Sequence, residues 1–151
     1  MRFLALLLLT FCLFSCKAQK ELAGEKMEDL ELVVQDGYSG IMEYETMVIQ
    51  DTKSLNKFYS QVNKTRKPGL PVPMVDFSRE MVIVVCLGEQ QGEKEPFLSK
   101  INETEDELTI AVELSDPTKT DTAQSQAISY PFYLYKMPLS PKTIGFQKVG
   151  W

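Results

Sequence analysis

Histidine is absent from all 151 residues. That removes the commonest general base, the commonest metal ligand and every serine or cysteine mechanism that runs through an imidazole. Cys-x-x-Cys, a glycine-rich phosphate loop and Gly-x-Ser-x-Gly are missing too. So is a basic surplus: 16 Lys and Arg stand against 21 Asp and Glu, a net charge of −5, the wrong sign for nucleic acid. The expectation is a protein that is not an enzyme, holds no cofactor or metal, and does not bind nucleic acid.

Long apolar runs are equally scarce. Phe3 to Phe14 is apolar apart from Thr10, follows the positive start Met1-Arg2, and ends at Ser15-Cys16. It falls short of the roughly 20 residues that a spanning helix needs. A charged start, a short apolar stretch and a small residue at the cut describe a secretion signal, residues 1–15. Leu13-Phe14-Ser15-Cys16 resembles the lipobox of bacterial lipoproteins, with Leu13 three residues before the cysteine and Ser15 next to it. Phe14 departs from the small residue usual between them. The resemblance implies that Cys16 takes a diacylglycerol and becomes the acylated first residue; the bland alternative is an ordinary cut near Ala18. Several acyl chains anchor durably where one holds marginally. Lys17 is not the aspartate that retains enterobacterial lipoproteins in the inner membrane, so the expected location is the outer membrane, facing the periplasm.

Of the three cysteines, Cys12 leaves with the signal and Cys16 is modified, so Cys86 stands alone. It ends the run Met81-Val82-Ile83-Val84-Val85-Cys86 with no basic neighbour, and reads as a small core hydrophobe rather than a reactive thiol.

The 151 residues less the fifteen of the signal leave 136, enough for one domain with a real core. Residues 16–28 are polar and aperiodic and read as a flexible tether, leaving 29–151 as a single β-rich domain. Leu30 to Val34 reads as a short strand, Asp36-Gly37 as a turn, and Ile41 to Ile49 as a strand with Met42, Tyr44, Thr46 and Val48 on one face. One amphipathic helix is expected over about 51–65, because Leu55, Phe58, Tyr59 and Val62 make a single stripe, Asp51 or Thr52 can cap it and Pro68-Gly69 stops it. Pro68 to Pro73 is an extended connector. Met81 to Leu87 is β-branched throughout, a strand buried on both faces. Phe97 to Asn102 and Leu108 to Leu114 follow, the second alternating with Thr109, Ala111 and Glu113 so that one face should be wet. Asp116 to Gln126 is a polar loop, and Thr143 to Val149 a last strand. The fold expected is α+β: about seven mostly antiparallel strands, folded over or sandwiched, with one helix on a face.

Carboxylate pairs (Glu43 and Glu45, Glu93 and Glu95, Glu105 to Glu107) have the numbers for acid–base work but sit where solvent is expected. Glu113, Asp116 and Asp121 make at most a loose oxygen trio with no EF-hand spacing. Along Tyr130-Pro131-Phe132-Tyr133-Leu134-Tyr135, alternation separates Tyr130, Phe132 and Leu134 from Tyr133 and Tyr135. One face must be core; the other packs under the helix or serves as a partner strip.

Val75-Asp76-Phe77-Ser78, the hydrophobic strand ending Leu87-Gly88-Glu89, Ile101 to Val112, and Ser129-Tyr130-Pro131-Phe132 together resemble the protease complex subunit PrcB family over residues 75–149. That resemblance implies a lipoprotein that serves as an accessory subunit of a protease complex. The family's tight Thr-Gly-Gly-Tyr hairpin, itself similar to loops of chagasin-type protease inhibitors, is replaced here by a longer, charged segment. Glu89, Gln90, Gln91, Gly92, Glu93, Lys94, Glu95 and Pro96 thus form the candidate partner-contact loop. The alternatives are a chagasin-like inhibitor and an envelope module binding a peptide or small ligand through Tyr133, Tyr135 and Trp151.

The lipid anchor gives a first prediction. Cys16→Ser should abolish acyl labelling in cells and release the protein from the membrane fraction. Labelling that persists would move the modification elsewhere.

Overall fold

The run Met81 to Leu87 decides the layering. Every residue from Met81 to Cys86 is 0% exposed, which requires apolar partners above and below the strand at once. The computed structural model describes residues 24–115 and 127–151. The signal 1–15, Cys16, the tether up to residue 23, the loop 116–126 and its Asp116 and Asp121 lie outside the described residues.

In chain order the elements are β1 (Glu25–Lys26), β2 (Glu31–Asp36), β3 (Glu45–Ile49), α1 (Thr52–Val62), β4 (Glu80–Cys86), β5 (Gln90–Gln91), β6 (Glu95–Glu103), β7 (Glu107–Ser115), β8 (Ile128–Ser129), β9 (Phe132–Pro138) and β10 (Thr143–Val149). One sheet has the order β2-β9-β4-β3 and is antiparallel throughout. The second has the order β1-β6-β7-β10, with β10 parallel to β7. A third pairing joins only β5 and β8. The fold is α+β, mostly antiparallel, with one α-helix among the described residues, as its periodicity predicts.

The two faces of β4 sort its side chains. Val82, Val84 and Cys86, with Phe132 and Leu134 of β9, pack against Leu55, Phe58, Tyr59 and Val62 of α1. Met81, Ile83, Val85 and Leu87, with Tyr133, Tyr135 and Met137, pack against Leu98, Leu108, Ile110 and Val112 of the second sheet. The result is helix, sheet, sheet. Each such side chain contributes roughly 1.5–3 kcal/mol on burial, whereas an exposed ion pair such as Lys26–Glu28 is worth about 0–1. Layer packing therefore holds the fold.

Asp51 caps α1: its carboxylate accepts from the Ser54 N–H at 2.8 Å and the Ser54 hydroxyl at 2.7 Å, which holds it below the ordinary carboxylate range. The helix ends at Asn63, whose side chain then acts as a short strand for the connector. It accepts from Leu70 N–H at 2.7 Å and donates to Leu70 O at 2.9 Å. Gly69 is needed there because a Cβ would meet Asn63 Cγ at 2.9 Å.

Four expectations change. Residues 25–28 do not all belong to the tether: Glu25–Lys26 pairs with β6, and Glu25 bridges Lys100 at 3.2 Å, a pairing too short to leave a periodic signal. The strand expected from Ile41 begins at Glu45, and its packed residues are Met47 and Ile49, on the face opposite to the expected one. On β7, Ala111 and Glu113 are 0% and 4% exposed rather than wet; each is flanked in register by strands on both sides. Finally, Tyr133 and Tyr135 are both 8% exposed, so both faces of the aromatic run are core.

If the three layers are one cooperative unit, a cavity in either interface destabilises the whole. Leu134→Ala (helix side) and Ile110→Ala (sheet–sheet side) should each lower the unfolding free energy by about 2–5 kcal/mol in a single denaturant transition. Two separated transitions would refute the shared core.

Candidate functional site

The charged segment 89–96 starts where β4 leaves the core. Gly88 makes the exit possible: its φ is +72°, and a Cβ there would lie 2.8 Å from the Tyr44 backbone nitrogen. From here the segment is tied down residue by residue. The Tyr130 hydroxyl donates to the Glu89 carboxylate at 3.1 Å. The Gln90 amide donates to Leu87 O at 3.0 Å. Gln90 and Gln91 pair with Ser129 and Ile128. The Tyr133 hydroxyl donates to Lys94 O at 2.7 Å and the Tyr135 hydroxyl to Pro96 O at 3.3 Å.

The two buried tyrosines thus act twice. Their rings fill the sheet–sheet core, and their hydroxyls, which would be costly to bury unpaired, reach the carbonyls of the loop. Alternation along β9 predicts the rings' common face but not the target of the hydroxyls.

Opposite the loop stands the turn that follows β2. The Tyr38 N–H donates to Asp36 at 2.8 Å. Arg66, just past α1, makes a two-nitrogen contact with the Asp36 carboxylate and also donates to Tyr38 O. Tyr38 and Tyr130 meet edge to face with centroids 5.9 Å apart, and the backbones exchange Ser39 N–H to Tyr130 O (2.7 Å) and Tyr130 N–H to Gly37 O (3.0 Å).

A groove of about 480 Å³ is lined by Gln35, Asp36 and Gly37 of the turn, by Gly92 to Glu95 of the loop, and by Ser129, Pro131 and Tyr133. The sequence singles out only the loop. Asp36-Gly37 reads as a plain turn and Arg66 as a helix-end charge; nothing in their spacing announces that they meet.

Of the other candidates, Glu43, Glu45, Glu93, Glu95, Glu105, Asp106 and Glu107 are all exposed. Glu113 is buried. Among the described residues no three His, Cys, Asp or Glu side chains gather as a metal site. Tyr133, Tyr135 and Trp151 do not form a common strip. Trp151 is 38% exposed and sits elsewhere: its indole N–H donates to Val112 O at 3.0 Å, its ring meets Tyr44 edge to face at 4.8 Å, and the Lys148 ammonium lies 4.0 Å from its centroid. Cys86 is buried and free, and burial, with a smaller contribution from Glu45, pushes its thiol from 9.0 up to about 12.

Comparison of the chain with family models, with curated proteins and with solved structures finds no match.

The buried phenols and the thiol give an alkaline prediction. Burial, helped by Glu95 and Glu93, pushes Tyr133 from 10.0 up to about 12; burial alone does the same to Tyr59. Folding favours the neutral form of each, so their stabilisation is complete below the unfolded values and lost as pH rises through the folded ones. The melting temperature should therefore fall between pH 9.0 and about 12. Tyr133→Phe and Cys86→Ala should each make that fall shallower. A melting temperature that holds steady across the window would contradict the buried assignments.

Proposed function

We propose that the chain is a non-catalytic envelope lipoprotein, anchored through acylated Cys16 to the outer membrane and facing the periplasm, and that it serves as a protein-binding, chaperone-like accessory subunit of a protease complex. The observation that carries this reading is the anchoring of residues 89–96. The loop projects exposed Glu89, Gln91, Glu93 and Glu95, while Tyr133 and Tyr135 hold its backbone from within the core. A loop fixed before binding loses little conformational freedom on contact. The likeness of residues 75–149 to the PrcB family supplies the protease, and the lipid would concentrate the domain beside membrane-bound partners.

The same fixed backbone favours a second reading, because an inhibitor also needs a rigid exposed loop. Three exposed carboxylates and the missing Gly-Gly-Tyr hairpin make Glu89–Pro96 a poor wedge for a protease cleft. The groove beside the loop also keeps a peptide- or small-ligand-binding module in play.

Crosslinking in native cells, followed by identification of the partners, tests the accessory role. Recovery of a protease or its precursor is expected, and its loss when residues 89–96 are replaced by a short Gly/Ser turn in a variant that still melts cooperatively. Stoichiometric inhibition of a protease by the purified protein would shift the assignment to the inhibitor. Recovery of no protein partner, with a small molecule retained on the purified protein, would shift it to a ligand-binding module.

A further inference from the structure

The groove beside the contact loop has a chemical character that narrows its occupant. Its lining combines Pro131 and Tyr133 with the polar residues Ser129 and Gln35. Its lining carries the charges of Asp36, Glu93, Lys94 and Glu95, three acids against one base. Asp36 is already engaged by Arg66. Glu93 and Glu95 are exposed and have no ion pair among the described residues. Both are close enough to push the Tyr133 phenol up, so their charge is felt in the groove.

Apolar Pro131 and Tyr133 within a lining that is acidic on balance suit a side chain with an aliphatic stem and a cationic head. Lysine and arginine lay their methylenes on apolar surface and keep the charge at its rim. The lining admits a main chain as well. Gly37 and Gly92 present backbone with no side chain, and a Cβ built on Gly37 meets nothing within 4 Å. Ser129 and Gln35 offer hydrogen bonds to an extended backbone. A compact metal ion fits less well, because the carboxylates form no metal-ligand group among the described residues.

We infer that this groove takes a lysine or arginine side chain from an extended segment of the partner protein, with Glu93 and Glu95 as the specificity-determining acids. The inference rests on the protein-binding reading above and adds the chemistry of what is bound. Charge complementarity of this kind sets specificity and association rate more than total affinity, and exposed pairs are screened within about 8 Å at physiological ionic strength.

The test is selection from a random linear peptide library on the mature full-length protein in detergent. Selected peptides should share a Lys or Arg beside small or apolar residues. Replacing that one basic residue by Gln, which leaves the protein untouched, should weaken binding about tenfold or more, the equivalent of about 1.4 kcal/mol. Glu93→Gln/Glu95→Gln should do the same, and added salt should weaken the wild type more than this variant. Glu105→Gln/Glu107→Gln, an equal charge change on the exposed turn between β6 and β7, should bind as the wild type does. Peptides without a basic preference, or equal binding by the Glu93/Glu95 and Glu105/Glu107 variants, would overturn the inference. The two ideas fail separately: a cellular partner that is lost with the whole loop but retained by Glu93→Gln/Glu95→Gln keeps the accessory role and removes the basic side chain.

Discussion

Strand β4 has no wet face, and everything else in the domain is arranged to keep it dry. A strand of valine, isoleucine, methionine and cysteine can be buried on one side by a helix and on the other by a second sheet, but the two covers have different shapes. The helix meets Val82, Val84 and Cys86 of β4 beside Phe132 and Leu134 of β9. The opposing sheet takes the larger Met81, Ile83 and Leu87 together with the tyrosines of β9. Cys86 thus belongs to packing, and its depth removes it from thiol chemistry.

The segment 89–96 takes its anchoring from the same arrangement. Tyr133 and Tyr135 are drawn inward because β9 neighbours β4 and shares its two covers. A phenylalanine would fill the space equally well. A tyrosine has a hydroxyl that must find an acceptor, and the carbonyls of Lys94 and Pro96 lie within reach. Core and surface are therefore linked through two side chains, so the loop's backbone is positioned by the interior while its carboxylates stay in solvent. The path of this loop is a by-product of satisfying buried polar groups.

Much of this is legible in the sequence, and the illegible parts have physical causes. The helix is plain because Leu55, Phe58, Tyr59 and Val62 form a stripe and Asp51 is a strong cap. Strand β4 is plain because an unbroken β-branched run has few other uses. Two-residue strands such as β1, β5 and β8 carry no period at all, and their pairing is settled by neighbours remote in the chain. The face of β3 is misread because Met47 and Ile49 compete with an equally apolar opposite set, Met42, Tyr44 and Val48, and tertiary contact decides between them. The candidate groove is half legible: its charged loop interrupts two regular strands, whereas Asp36, Gly37 and Arg66 come together only through the fold.

The central sheet draws its strands from both ends of the described chain. β2 pairs with β9, and β4 lies between β9 and β3, so the layer closes only when residues near 135 have been delivered to residues near 33. No N-terminal fragment ending before β9 can complete that sheet, and pairings of such long sequence separation form slowly. Strand β2 in particular has no sheet neighbour among the described residues until β9 is present, so the earliest part of the layer is also the last to be paired.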